Sequence, residues 1–282
     1  MTAYVFRSIV NKIMVTISAL SAALSVAALV AVFGFVAVKG VTALSVDFFT
    51  QLPTPVGVPG GGIANAILGT LIVVGLAACM ALPIGVGAAI YLSEFGDNRF
   101  ADAVRFLADV LSGIPSIVMG IFAYALVVAR QGHFSAFSAS VALGVMMLPL
   151  VTRTAEEMLR LVPASLREAG LALGLPRWRV TVSVVLPTAA GGVITGIALA
   201  TARVAGETAP LLFTSFGSPF WNADITQPIA TLPHTLFNYA ISPFDDWHTK
   251  AWGVSLVLAA LVLLASVAAR TIGGRHVQTS GR

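Results

Sequence analysis

Charge is what this sequence has least of. Asp, Glu, Lys and Arg make up 10% of its 282 residues, whereas 57% are hydrophobic. A water-soluble domain carries about 25% charged residues because its surface must be hydrated, so a soluble globule is excluded and most of the chain must be solvated by lipid. Cysteine is nearly absent: Cys79 stands alone, which rules out an internal disulfide framework and leaves the redox compartment unreadable. The histidines, His133, His234, His248 and His276, are scattered without metal-ligand spacing. Lysine occurs only at Lys12, Lys39 and Lys250, never after a glycine, so the Gly-Lys phosphate loop of an ATPase is missing. The acids and histidines lie in separate loops and give no Ser-His-Asp set or carboxylate pair. The chain therefore reads as non-catalytic, with neither metal nor cofactor of its own.

Long apolar runs fill the space that charge leaves. Crossing a hydrocarbon core takes about 20 helical residues. Six runs qualify, at 13–38, 63–92, 106–128, 134–151, 182–208 and 252–269. The first is too long for a signal-peptide core and has no clear small-residue cleavage site, so it reads as a retained helix. The expected class is all-α, a polytopic membrane protein with six transmembrane helices. Arg7, Lys12, Arg99, Arg105, Arg153, Arg160, Arg167, Arg177, Arg179, Arg270, Arg275 and Arg282 fall on one side of that topology, and only Lys39, Arg130 and Lys250 on the other. The positive-inside rule makes the richer side, with both termini, cytoplasmic. The net charge of +4 is then a product of topology, and no nucleic-acid partner is implied.

The connections differ in character. Residues 39–62 carry Pro53, Pro55, Pro59 and Gly60 to Gly62 and read as irregular external chain. Residues 216–250 are broken by Pro219, Pro228, Pro233 and Pro243, with apolar periodicity at Leu232, Leu236, Phe237 and Ile241 that predicts a short interfacial helix. With Asp224, Asp245, Asp246, Trp221, Tyr239 and Trp247, this segment is a candidate landing surface for an external protein, or an aromatic belt with solvated acids. In the loop between the fourth and fifth runs, Pro163 can open a helix and Gly174 with Pro176 can end it, predicting a helix over 164–173. Leu166, Ala169, Gly170 and Leu173 form a partly apolar strip beside Arg167 and Glu168, suited to a cleft on a soluble partner or to the membrane surface.

That loop carries a resemblance. Glu168-Ala169-Gly170, three residues, Gly174, nine residues and Val184-Val185-Leu186-Pro187 is similar to the EAA loop of ABC-importer permeases, with Gly170 for the usual Ala and Val184 for the usual Ile. The segments Leu111 to Val118, Val162 to Ala169 and Arg203 to Leu212 narrow it, over about residues 60–270, to the A-type permeases of phosphate-specific importers. The resemblance implies a type I importer permease of MetI-like fold, with 1–62 as leading segment, 63–270 as permease core, 152–181 as coupling loop and 271–282 as tail. It implies that residues 164–175 form a coupling helix, with Arg167, Glu168, Ala169, Gly170 and Gly174 engaging a dimeric ATP-binding subunit that holds the ATP and Mg. It implies as further partners a second, homologous permease and an extracytoplasmic phosphate-binding protein.

Conduction is the chemistry left to this chain. An ionisable residue at bilayer depth costs at least about 2.5–3.5 kcal/mol and marks a path or a pair. Arg203 and Glu207, four apart in the fifth run, are such residues, and Gly206 and Pro210 should loosen the helix there. The face of Thr188, Gly192, Thr195, Leu199, Arg203 and Gly206 is expected to look into the bundle. Arg203 would then supply positive potential to an anion route with Thr195 along it, and Glu207 would pair with Arg203 and set how tightly it holds the anion. The alternatives are a salt bridge that only locks a broken helix, or an arginine snorkelling to the interface. At Ser112-Gly113-Ile114-Pro115-Ser116 a kink is expected, a helix restart with amides aimed at an anion being the alternative. Asp109 should sit near the cytoplasmic interface or pair with an arginine. Inorganic phosphate is the cargo implied by the resemblance. Molybdate, sulfate or phosphonate stay open because an EAA loop reports the motor and not the cargo, and an ion-coupled carrier would need more intramembrane acids.

Overall fold

The computed structural model describes residues 2–58 and 60–279. Met1, Pro59 and residues 280–282 lie outside them, and with them one proline of the irregular external chain expected over 39–62 and the charge of Arg282. Among the described residues the regular elements are helices, with one isolated bridge between Phe216 and Ile229.

The first apolar run lies in α1 (Thr2–Gly40), almost wholly exposed and touching the bundle only near its end, where Phe35 meets Trp252 edge-on at 5.2 Å. A short helix, α2 (Val46–Thr50), is capped by Ser45 and plants Phe48 in the core. The second run is α3 (Ala64–Glu94), whose 31 residues span about 46 Å at 1.5 Å per residue. Its buried stripe is mostly small: Ala66, Gly69, Ala77, Ala81, Gly85 and Ala89. Without a hydrophobic force between helices in lipid, such close approach is what makes packing favourable, and a Cβ on Gly85 would already meet Val151 at 2.9 Å.

The third run departs from expectation. Instead of one kinked span the chain forms α4 (Arg99–Gly113), capped by Asn98, and α5 (Ser116–Ala123), bent 104° apart. Pro115 caps the start of α5 and cannot continue the hydrogen-bond ladder of α4, so the helix restarts. A π turn (Tyr124–Val128) and α6 (Ala129–Gln131) complete that arm.

The fourth span is longer than the apolar run: α7 (Ala136–Arg160) opens with a Ser135/Ser138 capping box and runs on through Arg153, Glu156 and Arg160, which sequence reading assigned to a loop. Next come α8 (Ala164–Ala172), then α9 (Arg177–Val180), a π turn (Thr181–Val185) and α10 (Leu186–Ala205), which together form the fifth span. Short α11 (Ala209–Leu212), α12 (Leu232–Ala240) and α13 (Asp245–Thr279) finish the chain. Among the described residues five stretches are thus long and apolar enough to cross a membrane, six with the bent α4–α6 arm.

The core is a column of three clusters along α3 and α7. Val73, Ala77, Leu143, Met147 and Val204 fill the middle, and Ala89, Leu159, Val180 and Val185 the end that carries α8. Phe48, Ile63, Leu232 and Val254 fill the opposite end.

Candidate translocation path and coupling site

Two regions gather the polar groups of this apolar chain. The first is a cavity of about 260 Å³ half-way along α7, lined by Leu111, Ser112, Ile114, Pro115, Ser116, Met119, Met146, Leu150, Arg203, Val204 and Glu207. The break at Pro115 and the break at Gly206 meet here: α10 ends at Ala205 with Gly206 as its C-cap, and Pro210 sits at the second position of α11. A Cβ on Gly120 would lie 2.7 Å from the Cα of Pro210, so α5 and α11 touch backbone to backbone. At roughly 30 Å³ per water, the cavity has room for a tetrahedral oxyanion with several waters.

Sequence reasoning placed Arg203 and Glu207 on a path and helix breaks at Pro115, Gly206 and Pro210, and the fold brings all five residues to these two breaks. Three details differ. Among the described residues no carboxylate lies within ion-pair distance of Arg203, so the expected Arg203–Glu207 pair is not made. The reason is geometric: four-residue spacing juxtaposes side chains only while the helix continues, and this one ends between them. Thr195 does not line the cavity; its hydroxyl donates to the carbonyl of Gly191 one turn back. The face of α10 expected to look inward is also the more open one, for Thr188, Leu199 and Arg203 are exposed while Ala189, Val193, Ala200 and Val204 are buried. Small apolar residues pack better against α7 than polar ones, which leaves the polar face to the surface of this chain.

The second region is the α8 end. Glu168 and Ala169 are exposed, as are Leu166 and Leu171, so a short helix presents an acid and apolar side chains outward. Gly174 ends the segment at φ +82°, a conformation that suits glycine. Arg167 and Gly170, expected on the same docking surface, turn inward instead. A Cβ on Gly170 would lie 3.0 Å from Val180, so this position seats α8 on α9. The Arg167 guanidinium donates to Glu94, the last residue of α3, at 2.8 and 3.2 Å.

Beside it lies a charged hub that sequence reasoning missed. Glu156 is 1% exposed, accepts hydrogen bonds from Arg105 at 2.8 Å and Arg153 at 3.2 Å, and forms an ion pair with Arg160 at 2.8 Å. Arg153 also reaches Asp109 at 3.0 Å, which realises the arginine pairing expected for that acid and pins α4 along α7. The spacing 153, 156, 160 is that of one helix face, and it was the available signal.

At the opposite end the 216–231 segment is only partly a free surface. Ile229 to Leu232 are buried, the Leu232 amide donates to the Thr70 hydroxyl at 2.8 Å, and Ala136 and Phe137 donate to Gln227 and Ile225 at 3.0 and 2.8 Å. Thus the segment re-enters the bundle and caps the start of α7 before the expected helix α12. Its outer part exposes Phe220 and Trp221. The Thr226 amide and hydroxyl hold the Asp224 carboxyl below the usual carboxylate range, and burial lowers the pKa of His234.

The family described as binding-protein-dependent transport system inner membrane component matches residues 81–277. The chain is 46% identical over 235 residues to the phosphate transport system permease protein PstA of Yersinia pestis, covering 83% of this chain and 80% of that one. It is 44% identical over 271 residues to its namesake in Xylella fastidiosa strain 9a5c, covering 95% and 94%. Among solved structures it resembles the inward-facing MetNI methionine ABC transporter at a TM-score of 0.62 and 19% identity, over 76% of this chain and 94% of that one, a likeness of fold.

Proposed function

Because the chain belongs to the family of binding-protein-dependent transport system inner membrane components, we propose that it is the permease subunit through which an ATP-driven importer moves inorganic phosphate into the cell. The observation that carries the reading is the mid-bundle cavity, whose lining holds Arg203, without an ion pair among the described residues, together with Ser112 and Ser116. A cation at that depth is costly unless it faces water or a polar partner, so the open side of α10 is where an anion passes. The charge of Arg203 draws the anion in, and the serine hydroxyls and the start of α5 replace part of its hydration. Glu207 in the same lining keeps the site from becoming a trap, since conduction needs release as much as entry. The phosphate transport named for the Yersinia and Xylella relatives supports phosphate as the cargo.

The route lies at the surface of this chain, and a second, homologous permease completes it by covering the open face of α10; the unpartnered sides of α1 meet that permease or lipid. The α8 end is cytoplasmic, with both termini on that side, as the distribution of arginines requires. There a dimeric ATP-binding subunit holds the outward-facing Glu168, Ala169, Leu166 and Leu171 and supplies all of the ATP and Mg chemistry, this chain contributing no cofactor. On the other side, Phe220 and Trp221 receive the extracytoplasmic phosphate-binding protein. The test is Arg203→Gln in the assembled transporter, with phosphate uptake and basal ATP hydrolysis measured separately. Uptake should fall by at least about tenfold, equivalent to about 1.4 kcal/mol, while hydrolysis persists. Unchanged uptake with normal assembly overturns the route.

A further inference from the structure

We propose that Arg167 and Glu94 form a strut carrying the stroke of α8 into the transmembrane bundle, which makes Arg167 a positioning residue rather than a contact to the ATPase. This rests on the reading that an ATP-binding subunit grips α8.

Glu94 is where a carboxylate should not be. It is the last residue of a 31-residue helix, at the negative end of the helix dipole, where the final carbonyls point out of the helix. A local rule broken in this way needs a compensating gain, and the structure provides one. Arg167 engages both Glu94 oxygens, Nη2 to Oε1 at 2.8 Å and Nε to Oε2 at 3.2 Å. The same guanidinium donates to the carbonyl of Leu159 at 2.9 Å and to that of Val162. One side chain therefore ties α8 to the end of α3 and to the chain leaving α7. The pair is largely shielded, with side-chain exposures of 23% for Arg167 and 10% for Glu94. With Nε, Nη1 and Nη2 all committed inward, the guanidinium has little left to offer a partner.

The end of α3 is itself held from the other side. Arg105 donates to the carbonyls of Leu92 at 2.7 Å and Gly96 at 3.3 Å while its Nε binds Glu156. Arg105 belongs to α4, and the last turn of α4, with Leu111 and Ser112, lines the cavity. A displacement of α8 thus reaches the cavity wall in two guanidinium steps, Arg167 to Glu94 and then the end of α3 to Arg105. A bidentate arginine–carboxylate pair is directional and transmits pull as well as push, whereas the apolar seat of Gly170 on Val180 can slide.

The experiment uses the full chain in its complex with the second permease and the ATP-binding subunit, reconstituted in liposomes, and reads phosphate moved per ATP hydrolysed. Two forms are compared with wild type: Glu94→Gln, and Glu94→Cys with Arg167→Cys in a Cys79→Ser background, before and after bridging by a bifunctional thiol reagent. Both forms should retain the ATP-binding subunit on purification. Phosphate per ATP should drop at least about fivefold, the low end of ordinary coupling. Bridging should raise it again, a rescue that a merely structural role would not give. Wild-type stoichiometry in Glu94→Gln, or no rise in phosphate per ATP on bridging an assembled double-cysteine complex, overturns the strut. If the double-cysteine form does not assemble, Glu94→Gln decides, since it keeps the size of the side chain. A wild-type complex without a bound ATP-binding subunit would instead overturn the underlying functional reading.

Discussion

Replacing Glu156 by Gln removes the one buried carboxylate that three arginines share, and the cost can be worked from the geometry. Breaking a buried ion pair costs about 3–5 kcal/mol because the remaining charge is left without compensation. Arg160 is 54% exposed, so water screens most of its share. Arg153 keeps Asp109 at 3.0 Å, and Arg105 keeps the carbonyls of Leu92 and Gly96 with Asp102 at 3.0 Å. The net loss should therefore lie below the full figure, at about 2–3 kcal/mol. At about 2–4 °C per kcal/mol for a chain of this size, thermal unfolding in detergent should move down by about 4–12 °C. Glu157→Gln, one residue away and exposed, is the control and should stay within about 0.5 kcal/mol of wild type. Phosphate uptake should also decline, since α4 loses its main tie to α7 and the cavity wall loosens. If Glu156→Gln melts with its control, the hub does not hold α4.

Three further substitutions probe other parts of the account. Gly69→Ala would set a Cβ 1.9 Å from the carbonyl oxygen of Ala230, so it should destabilise by at least about 1–3 kcal/mol in thermal unfolding; a neutral result would contradict the re-entry of the 216–231 segment. Burial holds His234 below its ordinary pKa of 6.5, so below that pH the unfolded chain binds the extra proton and stability falls as pH drops. Unfolding measured from pH 7.5 down to about 5 should show that slope in wild type and lose it in His234→Gln; equal slopes would remove His234 as the cause. Phe220→Ala with Trp221→Ala should weaken stimulation of ATP hydrolysis by the binding protein at least about fivefold, leaving the basal rate alone. Equal stimulation would move the landing surface elsewhere.

Much of the frame was legible because punctuation and hydropathy act locally. Pro163 and Gly174 delimit α8 to within two residues, the periodicity at Leu232, Leu236 and Phe237 locates α12, and Arg203 with Glu207 flags the cavity from their cost in lipid. What escaped depends on partners distant in sequence. Arg105 and Glu156 are 51 residues apart, so the charges of α7 from 153 onward read as loop although they continue a helix. Arg167 adjoins Glu168 on the same helix, yet only the position of Glu94 turns one inward and leaves the other exposed. The polar stripe of α10 reads as interior because polarity alone does not say whether a face packs within its own chain, and in the fold Thr188, Leu199 and Arg203 lie exposed. At Pro115 both a kink and a restart satisfy local rules, and the 104° turn follows from the pairing of α4 with α7.

The most direct test is accumulation of labelled phosphate in liposomes holding the reconstituted complex, with ATP supplied on the α8 side and the binding protein on the other. Uptake should require ATP, resist excess sulfate and molybdate, and collapse in Arg203→Gln. Accumulation without the ATP-binding subunit, or transport of sulfate or molybdate in place of phosphate, would contradict the account.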